Sequence, residues 1–127
     1  MRNSIKIILC LSVFLGSHAA VAANGDQLQQ VSYQCERGVV LPVTFLNTAN
    51  GGAYAVMQVE GQQIPMSIAV SASGARYTSI DEKRPYRLHT KGDTAILSWQ
   101  SAAEPKNDAI VLKECATGAE MFAKNTQ

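Results

Sequence analysis

Residues 53–70, AYAVMQVEGQQIPMSIAV, decide the fold. The period of the apolar positions is two rather than 3.6, so the stretch reads as strands and not as a helix. Ala53–Val59 is one strand and Ile64–Val70 the next, with Pro65 near its start. Glu60-Gly61 between them is a tight hairpin signal. The same pattern extends outward in both directions. Upstream, Val31, Tyr33 and Cys35 alternate with polar residues, and Val39–Phe45 forms a second strand. Pro42 within that strand lacks an N–H, which points to an edge or a bulge. Asn50-Gly51-Gly52 marks the turn into Ala53. Downstream come short strands at 75–79, Tyr86–Thr90, Thr94–Trp99 and Ala109–Cys115, with a turn at Lys91-Gly92-Asp93 and a polar loop over 101–107. Eight short strands with hairpin turns and no crossover helices predict an all-β antiparallel barrel or sandwich. Closure into a barrel has the advantage of removing edge strands.

The N-terminus carries a different signal. Arg2 and Lys6 precede the apolar run Ile7–Leu15, which is too short to span a bilayer. Ala20-Val21-Ala22 follows as a small-x-small cleavage site. Residues 1–22 are therefore expected to be a secretory signal peptide, cut after Ala22 or, as second choice, after Ala23. Cys10 lies inside the apolar run behind bulky Leu9, which is not a lipobox, so no membrane anchor is expected. Residues 23–30 are small and polar and read as a flexible leader, and 117–127 as a polar tail. One domain over 31–116 remains. Removing Arg2 and Lys6 from the 11 basic residues leaves 9 against 10 acidic ones. So balanced a charge gives no global field for nucleic acid or a membrane surface.

Beyond the leader only Cys35 and Cys115 are left. An even count behind an export signal implies one disulfide in an oxidising compartment, here tying the first strand to the last. Zinc would need further cysteine or histidine ligands, and His89 stands alone, so neither metal nor cofactor is expected.

Two loops carry the chemistry. Ser71-Ala72-Ser73-Gly74 is a run of small residues between strands, which lets another surface approach the backbone. The plainer reading is a turn in which Ser73 caps its own backbone. Lys91 stands beside the Gly92-Asp93 turn, where the plainer reading is a solvated lysine. From residue 76 to 91 the chain holds Arg76, Lys83, Arg84, Arg87 and Lys91 against Asp81 and Glu82, a local positive patch fit to meet an acidic partner. Tyr77 and Tyr86 flank it, and Trp99 reads as core. No G-x-S-x-G elbow accompanies Ser73, and His89 has no evident orienting acid, so an enzyme is not expected.

At these residues the chain resembles the periplasmic and membrane-bound inhibitors of C-type lysozyme, the PliC/MliC family. The family's S-G-x-x-Y stands here as Ser73-Gly74-Ala75-Arg76-Tyr77, and its Y-x-x-x-x-K-G as Tyr86 through Lys91-Gly92. Tyr33-Gln34-Cys35, Tyr54-Ala55-Val56-Met57 and Cys115 also fit. One departure is His89, where many members carry an aromatic residue. The resemblance covers about residues 31–116. It implies a small eight-stranded antiparallel β-barrel with one disulfide and a protruding loop that enters the lysozyme cleft. It further implies that Ser73 and Lys91 reach the two catalytic carboxylates, with Gly74 and Tyr77 shaping the loop and Arg76 and Gly92 in the contact region. The missing lipobox places the chain with the periplasmic branch, protecting the peptidoglycan of a Gram-negative cell. Two other readings stand beside this one. A small-ligand carrier would use the barrel interior, and an envelope module would bind glycan without inhibiting. A homodimer through exposed strands is also open.

Overall fold

The computed structural model describes residues 25–104 and 106–118. The expected signal peptide and most of the expected tail lie outside these residues.

The strands form one closed antiparallel barrel in chain order. They are β1 (Gln27–Gln34), β2 (Val40–Asn47), β3 (Ala53–Val59), β4 (Gln62–Ala69), β5 (Ala75–Ser79), β6 (Tyr86–Lys91), β7 (Thr94–Gln100) and β8 (Asp108–Ala116). A short 3-10 turn over Glu36–Gly38 joins β1 to β2. Glu60 and Gly61 both take positive φ, 52° and 73°, the signature of the type I′ hairpin turn.

Three local expectations change. β1 begins at Gln27, so the leader read over 23–30 is strand for its second half. Residues 27–30 are exposed on both faces. They hold strand through backbone pairing with β2, from Gln27↔Asn47 to Gln30↔Thr44, which hydrophobic alternation does not register. Val70, read as the end of the fourth strand, is 96% exposed and outside it, because the β4–β5 ladder stops at Ala69↔Arg76. Pro42 is not at a free edge. It pairs with Ser32 on β1, and its other side is free of the β3 ladder, which runs only from Val43↔Met57 to Asn47↔Ala53.

Closure is narrow. β1 meets β8 at Gln34↔Ala116, and the Cys35–Cys115 disulfide sits one residue from that pair. The bridge spans a sequence separation of 80. On the chain-entropy account such a loop stabilises by about 4–5 kcal/mol. The Lys113 N–H also donates to Glu36 Oε1 at 3.4 Å across the seam.

Alternate residues fill the interior. Leu41, Met57, Ile64, Met66, Leu88 and Leu97 are each at most 1% exposed. Phe45, Tyr77, Tyr33 and Tyr86 pack against them. Among the described residues no charged side chain is buried. An up-and-down barrel sends successive turns to alternate ends. The β2–β3, β4–β5 and β6–β7 turns therefore share one end, which holds Ser73 and Gly92. The β3–β4, β5–β6 and β7–β8 turns share the other.

Candidate functional site

The β4–β5 loop leans onto the end of β6. Gly74 has φ +65°, and a Cβ placed on it would overlap the carbonyl oxygen of Thr90. The same Cβ would lie 3.2 Å from His89 Nε2 and 3.3 Å from Lys91 Cβ. Glycine is thus required twice, by conformation and by crowding. This close approach brings the Ser73 loop against Lys91. Gly92, at φ +55°, has open space where a Cβ would stand, so its requirement is conformational alone.

The loop is pinned through one atom. The Ser73 carbonyl accepts from Ser71 Oγ at 2.7 Å and lies 2.8 Å from His89 Nε2. A carbonyl has no proton to give, so Nε2 carries the hydrogen and donates. Both lone pairs of that oxygen are engaged, and the Ser73 side chain is left exposed. The simple turn expected from sequence therefore takes another form, since Ser71 and not Ser73 supplies the hydroxyl that caps the loop backbone.

Lys91 is exposed at the β6–β7 hairpin, opposite Thr94. Its carbonyl accepts from Thr94 Oγ1 at 2.8 Å, which tightens the turn. Its ammonium makes no ion pair among the described residues. Arg76 stands two strands' pairing away, opposite His89 on β6 and Ala69 on β4, and is half-buried.

The positive patch read from the sequence divides in space. Arg84 pairs with Asp81 at 2.9 Å and bonds Gln62 at 2.7 Å, at the opposite end of the barrel. The Lys83 N–H, and after it the Arg84 guanidinium, hold the Asp81 carboxyl below its ordinary range. Arg87 reaches Asp108 on β8 with both oxygens at 3.2 Å. Of the five cations, only Arg76 and Lys91 stand near the Ser73 loop. A run contiguous in sequence is split because a hairpin sends its middle to the far end.

Beside the loop the barrel mouth opens. A cavity of about 240 Å³ is lined by Tyr33, Phe45, Tyr77, Thr90, Gly92 and Asp93, among others. The Phe45 and Tyr77 rings pack at 5.4 Å between centroids, tilted by 50°. Burial raises the Tyr77 hydroxyl above its ordinary pKa. Burial raises that of Tyr33 too, helped by Tyr77 and Asp93 nearby. Tyr77 is thus a buried wall beneath the loop. Sequence reading passed over His89 and Ser71 as holders of the loop. The Ser-x-Ser spacing was a usable signal for Ser71, whereas nothing local marks His89, whose partner comes from another strand.

The chain has recorded relatives. The family described as membrane-bound lysozyme-inhibitor of c-type lysozyme matches residues 33–105. A protein of Cupriavidus necator named membrane-bound lysozyme inhibitor of C-type lysozyme is 31% identical over 118 residues, covering 89% of each chain. The crystal structure of PliC-St, a periplasmic lysozyme inhibitor of C-type lysozyme from Salmonella typhimurium, superposes with a TM-score of 0.63 at 35% identity. That match covers 72% of this chain and 99% of the other.

Proposed function

We propose a function from one premise, that this chain belongs to the MliC family of C-type lysozyme inhibitors. The protein inhibits a C-type lysozyme by presenting the Ser73 loop and Lys91 to the catalytic carboxylates. The observation that carries this reading is the seating of Gly74 on Thr90 and Lys91, which joins a hydroxyl-bearing loop to an ammonium without an ion pair among the described residues.

The chemistry suits that target. A retaining glycosidase holds two carboxyl groups about 5–5.5 Å apart. One is an ionised carboxylate that an ammonium can pair with, and the other is an acid kept protonated by an apolar setting, which a serine hydroxyl can meet. No scissile glycosidic bond is offered, so the cleft is filled without turnover. Burying Lys91 costs desolvation, and its pairing gives specificity as well as affinity. Arg76 and Gly92 lie at the margin of the same surface, and Tyr77 supports it from within. The site of action is the periplasm, with the chain exported and soluble there. The expected signal peptide and the periplasmic Salmonella neighbour support this, although the Cupriavidus relative is named membrane-bound. Among the described residues no helix is long and apolar enough to cross a membrane.

The carrier reading is weakened by the filled interior. Leu41, Met57, Ile64, Met66, Leu88 and Leu97 fill it, each at most 1% exposed. The test is lysis of a peptidoglycan-walled cell suspension by a C-type lysozyme with the oxidised protein titrated in. Stoichiometric loss of lysis is expected, and Ser73→Ala and Lys91→Ala should each weaken it by more than about tenfold, or ~1.4 kcal/mol. Undiminished potency in both variants sinks the loop roles. Inactivity of the wild-type protein against every C-type lysozyme tried brings the glycan-binding reading forward.

A further inference from the structure

His89 faces outward from β6, opposite Arg76 on β5 and Ile96 on β7. It is half-buried and has no place in the cleft-blocking chemistry above. Its Nε2 nevertheless lies 2.8 Å from the Ser73 carbonyl. That bond is the side-chain tie from β6 to the loop, spanning 16 residues of sequence. The other hydrogen bond to the same oxygen, from Ser71, is internal to the loop and cannot fix the loop relative to Lys91. Gly74 completes the arrangement by letting the backbone settle close enough for the imidazole to reach.

We propose that His89 is a positioning residue for the inhibitory loop: its Nε2–H holds the Ser73 carbonyl to β6 and so fixes the Ser73 hydroxyl at a set distance from Lys91. This rests on the function proposed above and adds a residue that acts through another. The loop 71–74 is short and small-residued, with 72–74 exposed, so without the tie it samples other placements. Binding must then order it again, at a cost in affinity. A single neutral hydrogen bond of this kind corresponds to a change of about fivefold.

The experiment compares His89→Phe, which keeps ring bulk without a donor, with His89→Gln, whose amide can donate from a similar reach. Equal thermal midpoints establish that both are folded. Inhibition by the Phe variant is expected to weaken about fivefold, and by the Gln variant less than about twofold. Combining His89→Phe with Ser73→Ala should be no weaker than Ser73→Ala alone, because the two act through one group. In the free protein, amide exchange over residues 72–75 should quicken about fivefold in the Phe variant and stay unchanged in the Gln variant. Wild-type inhibition and exchange in the Phe variant would overturn the proposal, as would a Gln variant as impaired as Phe. If the wild-type protein inhibits nothing, the lysozyme reading fails by itself. Exchange still reads whether His89 holds the loop, so the two failures are distinguishable.

Discussion

The two ends of the barrel treat charge in opposite ways. At the end holding Tyr86, several polar side chains are consumed in pairs. Tyr86 donates its hydroxyl to Glu60 Oε2 at 2.9 Å, and its ring meets Trp99 edge to face at 4.7 Å. Arg84 is shared between Asp81 and Gln62. The Tyr86 N–H donates to Ser79 Oγ at 3.0 Å, and the Gln100 N–H to the Pro85 carbonyl at 2.9 Å. At the Ser73 end, hydrogen bonds fix the backbone and leave side chains over. The Ser73 carbonyl is held twice while its hydroxyl is exposed, and Lys91 makes no ion pair among the described residues. The paired groups of one end serve stability, and at the other Ser73 and Lys91 are held by their backbones with side chains exposed. On the proposed function, a rigid scaffold under a small exposed loop limits the ordering cost of binding.

Opening the seam should erase this contrast, with the largest effect. Replacing Cys35 and Cys115 together by Ser is expected to cost about 4–5 kcal/mol of stability in chemical denaturation. Inhibition should then fall only as far as the folded fraction does. A loss under 1 kcal/mol would mean that strand pairing alone closes the barrel.

Gly74→Ala attacks the key end alone. The added Cβ meets the Thr90 carbonyl at a positive φ, so the loop must lift away from Lys91. Inhibition should drop more than about tenfold, ~1.4 kcal/mol in binding, with a smaller change in the thermal midpoint. A crystal structure of the variant with its loop unmoved would break the argument that close seating builds the site.

Tyr86→Phe attacks the far end alone. Losing the hydroxyl bond to Glu60 should cost about 1 kcal/mol of stability and leave inhibition unchanged within error. An effect on inhibition would show that the ends are not independent.

The smallest effect is alkaline. Burial raises Tyr33, Tyr77 and Tyr86 above the ordinary value of 10.0, and Glu60 adds to the rise at Tyr86. In the unfolded chain these phenols ionise first, so above about pH 10 the unfolded state binds fewer protons and stability falls as pH rises. Denaturation midpoints should be level between pH 7 and about 9, then decline. Tyr33→Phe with Tyr77→Phe should flatten the decline.

Much of this molecule is written locally. The period-two runs and the Glu60-Gly61 and Gly92-Asp93 turns place seven strands to within a few residues. With Cys10 set aside in the expected signal peptide, the two cysteines at the flanks of the domain are left to pair with each other. The residue types of the proposed key, Ser73, Gly74 and Lys91, stand in the sequence as motifs, and their shared end follows from counting hairpins. Hydrophobic pattern could not show Gln27–Gln30 as strand, because that segment buries no side chain and is held by backbone pairing. Nor could sequence proximity sort the cations. Arg84 and Lys91 are near in the chain yet at opposite ends, and Arg87 finds Asp108 from another strand. The tie from His89 to the Ser73 carbonyl, and the seat of Gly74 on Thr90, depend on how β4, β5 and β6 align once the barrel closes. Periodicity and turn chemistry are properties of neighbours in sequence. Register and closure are set by contacts between distant residues, and only the folded chain decides them.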